Sequence, residues 1–123
     1  MEGDEFGTLV GPTWTRIEAD GEKRFGVLAE KKHLSRFGRV HGGVLLWLAD
    51  KSLSLKAGKV SGATQIATIQ LDTQFVGIVP AHSFIEVRSE VTRKTGSLVF
   101  VTGRLMVGET IVASASGIWK YRI

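Results

Sequence analysis

The sequence predicts an α+β domain in which a curved antiparallel sheet of about five to six strands wraps one long central helix. Three observations carry this expectation. Residues 42–57 repeat their apolar side chains at helical spacing. The other patterned stretches alternate with period two, as strands do. No βα unit repeats, and a single helix cannot cover a doubly wound sheet.

Residues 1–12 read as a flexible N-terminal arm and residues 13–123 as one domain. Residues 13–19 alternate in part, with Trp14, Arg16 and Glu18 against Thr15, Ile17 and Ala19. Asp20-Gly21 is a strong hairpin signal, because both residue types tolerate the backbone of a two-residue turn. Residues 23–29 follow with Phe25 and Val27 on one face, which completes an opening hairpin. Residues 30–38 are charged and loop-like, with room for a helical turn within 31–37.

At 1.5 Å per residue, a helix over residues 42–57 is about 24 Å long. Leu45, Leu48, Ala49, Ser52 and Leu55 make one stripe, and Leu46, Asp50, Leu53 and Ala57 a neighbouring one. The first half is apolar almost all round, so it wants cover on more than one side. After a glycine turn at 58–62, residues 63–76, 83–93, 97–107 and 110–121 read as strands. Turns around Pro80, Gly96 and Gly108 separate them.

A length of 123 residues fits one domain. With 43% hydrophobic and 23% charged residues, the chain has enough apolar surface to fold. It has no cysteine, which excludes a disulfide scaffold, a thiol nucleophile and a thiolate metal site, and fits a cytoplasmic location. His33, His41 and His82 lack zinc-ligand spacing, so no metal is expected. The acidic N-terminus is unlike a signal peptide, and no apolar run reaches the ~18 residues of a membrane span. The net charge is +4, but the basic residues are dispersed among Glu86, Glu90 and Glu109. Without a continuous basic stripe, neither nucleic acid nor membrane is an expected partner.

Residues 35–50, SRFGRVHGGVLLWLAD, resemble the signature of the hotdog-fold thioesterases. The resemblance is closest to the acyl-CoA thioesterase group that includes phenylacetate-degradation and hydroxybenzoyl-type enzymes. In that group His-Gly-Gly opens the helix and an acid follows within it, and His41 and Asp50 keep that spacing. Residues 68–76, TIQLDTQFV, resemble the family's central strand, and residues 112–117, VASASG, its last strand. The resemblance implies a homodimer with one continuous sheet, often paired again into a tetramer, with active sites at the subunit interface. It implies hydrolysis of an aryl or medium-chain acyl-CoA to the free acid and CoA. Coenzyme A then enters as part of the substrate, and no separate cofactor is expected. The alternative is a hotdog protein that binds acyl-CoA or an acyl carrier protein without hydrolysis.

Thioester hydrolysis needs a polarised carbonyl, an attacking water or nucleophile, and a held leaving group. A helix N-terminus offers unpaired N–H groups and a partial positive charge. The resemblance gives Gly42 the oxyanion role, open to it because no Cβ blocks the approach. Otherwise Gly42 and Gly43 only allow tight packing. Asp50 lies on a largely apolar stretch, where a carboxylate must be paired, hydrated or functional. The resemblance makes it nucleophile or general base; the plain reading pairs it with Ser54 or Lys51. Thr68 matches a position that bonds the acid or the attacking water, or is simply a strand residue. His41 either orients the loop and carbonyl or caps the helix.

Ser35 stands where the family usually has Asn, and its hydroxyl is shorter and donates one proton. Leu46, Trp47 and Phe75 line the acyl pocket or form dimer core. His82 sits in a turn where the family usually has Gly, within reach of a ligand. Arg93 and Lys94 either attract the phosphates of CoA or form a solvated strand end. For His33 the sequence offers no chemistry.

Overall fold

The computed structural model describes residues 4–122. Strands β1 (Trp14–Ile17) and β2 (Lys23–Leu28) form the opening hairpin. Its turn is closed by Asp20, whose side chain accepts from the Glu22 N–H at 2.9 Å. The expected turn within 31–37 is a single 3-10 turn, Lys31–His33. Helix α2 (Gly42–Ser61) follows, then β3 (Gln65–Phe75), β4 (Phe84–Lys94), β5 (Leu98–Val107) and β6 (Thr110–Arg122). The six strands form one antiparallel sheet in the order β1-β2-β4-β5-β6-β3. The sheet is not closed, so β1 and β3 are its two edges.

Helix α2 runs four residues past its expected end. Gly62 stops it by taking a left-handed backbone, φ 67°, and giving its N–H to the Gly58 carbonyl at 3.0 Å. The buried stripe also differs from the expected one. Leu45, Ala49, Leu53 and Ala57 are buried along one i, i+4 row, with Leu48 and Ser52 beside them, whereas Leu55 is 40% exposed. At 3.6 residues per turn an i, i+4 row stays on one face, and Leu55 falls outside it.

Alternate strand residues meet that row. Val99, Val101 and Leu105 of β5 and Ala113, Ala115 and Trp119 of β6 are buried against α2. Each fully buried large side chain contributes about 1.5–3 kcal/mol relative to exposure. Gly117 makes room for the largest of them. A Cβ there would lie 2.5 Å from the Gln70 carbonyl oxygen and 2.6 Å from the Trp119 ring.

The N-terminal arm differs from expectation. Its first three residues lie outside the described ones, but residues 5–10 form a short helix, α1 (Glu5–Val10). Asp4 caps it by accepting from the Gly7 N–H at 2.9 Å, and ties it to α2 through Lys51 at 3.0 Å. The Gly7 N–H, and after it Lys51, hold the Asp4 carboxyl below its ordinary value of 3.8. The far end of α1 is held by His33, which is buried and bonds the Val10 carbonyl through Nε2. His33 Nδ1 accepts from the Glu30 N–H at 2.9 Å, so both ring nitrogens are engaged. This polar anchoring was not readable from an arm with no strong apolar pattern. Among the described residues no helix is long and apolar enough to cross a membrane.

Candidate active site

Asp50 lies on the flank of α2 that faces the edge strand β3. Register places Thr68 opposite Trp119, on the face of β3 that looks toward the helix. Thr68 Oγ1 donates to Asp50 Oδ1 at 2.7 Å. A bulge between Thr68 and Gln70 follows immediately, and leaves Ile69 56% exposed at the edge. Ser54, one turn along α2, donates to the same Asp50 oxygen at 3.5 Å. The Ser54 hydroxyl in turn accepts from Trp119 Nε1 at 2.7 Å. A chain of hydrogen bonds therefore runs from a fully buried tryptophan to a partly exposed carboxylate. Among the described residues nothing donates to Asp50 Oδ2, which leaves that oxygen free for water or substrate.

Lys51 does not pair with Asp50. It turns to Asp4 and over the Trp47 ring, 6.0 Å from its centroid. The angular step of about 100° between helix neighbours separates the two side chains.

The start of α2 has its own arrangement. His41 caps it, with Nδ1 accepting from the Gly43 N–H at 2.8 Å. That bond leaves the proton of a neutral His41 ring on Nε2. It also engages Gly43, while the Gly42 N–H has no partner among the described residues. Gly42 borders a cleft of about 360 Å³ whose walls include Arg39, Leu45, Phe75 and Ile78. Phe75 approaches closely enough that a Cβ on Gly42 would sit 3.6 Å from its ring.

The other expected residues are more scattered. The Ser35 hydroxyl accepts from the Phe37 N–H at 3.2 Å, within its own turn, and makes no described bond to Asp50 or Thr68. Leu46 is exposed and Trp47 half-buried. His82 has a left-handed backbone, φ 67°, which explains why glycine would suit its position. Its N–H is taken by the Ala29 carbonyl at 3.1 Å. Arg93 is exposed at the end of β4, and Lys94 lies over the Tyr121 ring, 5.4 Å from its centroid. Two participants went unseen in the sequence. Trp119 reaches the site across 65 residues of chain, which no local pattern signals. Arg39 enters the cleft beside Gly42 because its loop bridges to Pro80.

Residues 37–114 match the family model of the thioesterase superfamily. The candidate esterase PA0474 of Pseudomonas aeruginosa is 31% identical over 112 residues, covering 90% of this chain and 84% of the relative. The conserved protein PA5202 of Pseudomonas aeruginosa superposes with a TM-score of 0.86 at 19% identity, covering 97% of this chain and 94% of that one. The PaaI protein of the E. coli phenylacetic acid degradation operon superposes with a TM-score of 0.84 at 15% identity, covering 99% and 87%. One long central helix against a six-stranded open antiparallel sheet is the hotdog fold, and with the family match over more than half its length, the chain belongs to the thioesterase superfamily.

Proposed function

We propose that this protein hydrolyses an acyl-CoA thioester, with an aryl or medium-chain acyl group, to the free acid and CoA. The observation that carries the reading is the Thr68–Asp50 hydrogen bond on an exposed sheet edge, with Asp50 Oδ2 left free. Gly42 and Asp50 are eight residues apart on one helix, a rise of about 12 Å. That exceeds the reach of a single carbonyl, so the site takes Gly42 from one protomer and the partner subunit's Asp50. Exposed Ile69, Phe75, Val76 and Ile78 support pairing along the β3 edge.

In this reading the Gly42 N–H donates to the thioester oxygen as negative charge develops there. Asp50 takes a proton from water, the water oxygen bonds to the carbonyl carbon, and the C–S bond breaks. The departing thiolate recovers the proton. If Asp50 attacks instead, an acyl-aspartyl anhydride forms and water then cleaves it. Thr68 and Ser54 hold the carboxylate in position in both cases. Arg39, Arg93 and Lys94 supply positive charge for the phosphates of CoA.

A panel of aryl and medium-chain acyl-CoA substrates, followed by thiol release, tests the reading. Asp50→Asn is expected to lower kcat about 100- to 10,000-fold. Single turnover in ¹⁸O-water separates water attack at the acyl carbon, which labels the acid, from an anhydride cleaved at the Asp50 carbonyl, which leaves the first acid unlabelled and labels Asp50. Ser35 favours a second reading, because its hydroxyl is committed to its own turn. Saturable acyl-CoA or acyl-carrier binding without turnover of any thioester establishes that reading instead.

A further inference from the structure

On the flank of α2 away from Asp50, the helix, the opening hairpin and Ser89 of β4 border a second, partly open cavity of about 230 Å³. Ser52 and Asp50 are two residues apart, about 200° around the helix, so the two sites face opposite sides. We propose that this cavity is a binding site for a small organic carboxylate with an aryl or short alkyl body.

Three features support that ligand class. Phe25 and Leu55 give the cavity apolar walls. Lys23, Lys56 and Lys59 bring three positive charges to it against the single carboxylate of Glu22, which pairs with Lys56 at 2.7 Å and Lys59 at 4.0 Å. The balance is a net excess of positive charge, which an anion completes. The third feature is Ser52, which also lines the cavity. It is 3% exposed, and its hydroxyl is buried without a hydrogen-bond partner. A buried hydroxyl without a partner is costly, and a polar ligand atom relieves that cost. The volume falls below the roughly 300 Å³ at which pockets for drug-sized ligands begin, so the ligand is small. Nothing in this site depends on thioester hydrolysis.

The test titrates the full-length protein with benzoate and hexanoate, read by calorimetry and by backbone amide shifts, with benzamide as the uncharged control. One of the acids is expected to saturate one site per chain at about millimolar concentration. The shifts should centre on Phe25, Ser52 and Leu55, and benzamide should bind at least about tenfold more weakly. The double variant Lys23→Met/Lys59→Met should weaken the acid about tenfold, and Ser52→Ala about threefold. Asp50→Asn should leave the affinity unchanged, which separates this site from the proposed catalytic one. The proposal is overturned if neither acid saturates or if benzamide binds equally well. It is also overturned if the double variant, shown folded by thermal melting, keeps full affinity, or if the shifts centre on Gly42 and Asp50.

Discussion

Thr68 donates to Asp50 across 2.7 Å, and this bond joins the edge strand β3 to the central helix. The bond matters because it fixes one Asp50 oxygen and leaves the other free. A carboxylate held this way is pre-oriented for proton transfer or attack.

Thr68→Ala removes the donor and lets Asp50 rotate. In the proposed reaction kcat is expected to fall about tenfold with KM nearly unchanged, as for an interaction that acts in the transition state. Thr68→Ser keeps the hydroxyl and should recover most of the loss. Equal kcat for all three proteins would remove Thr68 from the mechanism.

Trp119→Phe keeps an aromatic ring in the core but deletes the indole N–H that orients Ser54. The lost bond and the smaller ring should destabilise the fold by about 1–3 kcal/mol, measurable by urea denaturation. Because Ser54 also contacts Asp50, kcat should fall along with stability. A variant as stable as the parent would show that the indole bond contributes nothing.

Gly117→Ala tests the packing that seats Trp119. The new Cβ would sit 2.5 Å from the backbone oxygen of Gln70 on β3, and backbone cannot swing aside as a side chain can. A loss of about 1–3 kcal/mol is expected from overpacking, seen as a lowered midpoint of thermal unfolding. The shift should carry over to the β3 amides in hydrogen exchange, since that strand must move.

The docking of α1 should depend on pH. The folded-state pKa of Asp4 lies below its ordinary 3.8, so its contribution is present above that value and fades as the pH falls below it. Hydrogen exchange at the Gly7 amide should therefore lose protection, beyond its intrinsic pH dependence, as the pH is taken through this range. Asp4→Asn cannot make the ion pair with Lys51 and should show no such transition. An identical profile in both proteins would mean that the ion pair does not hold the helix.

Much of the architecture was legible because its signals are local. Period-two alternation marked β3, β4 and β5 and in part β1, Asp20-Gly21 marked the hairpin, and His41 with two glycines marked the helix start. The His-Gly-Gly at 41–43 and the spacing of His41 and Asp50 point to the family. What lay beyond the sequence depends on contacts between distant segments. Leu55 fits a helical stripe on paper, yet the sheet covers the row through Leu53 and Ala57 instead. The arm looked loose because its anchors are single polar contacts, Asp4 with Lys51 and Val10 with His33, rather than an apolar face.

The sequence by itself determined the strands and the central helix, because backbone periodicity and turn chemistry are written residue by residue, and its resemblance to the hotdog thioesterases singled out Asp50. Only the tertiary structure decided what holds that carboxylate. Strand register and a bulge bring Thr68 to Asp50, and a tryptophan 65 residues from Ser54 completes the chain of bonds. Such partners are chosen by how the sheet curls over the helix, which is a property of the packed whole.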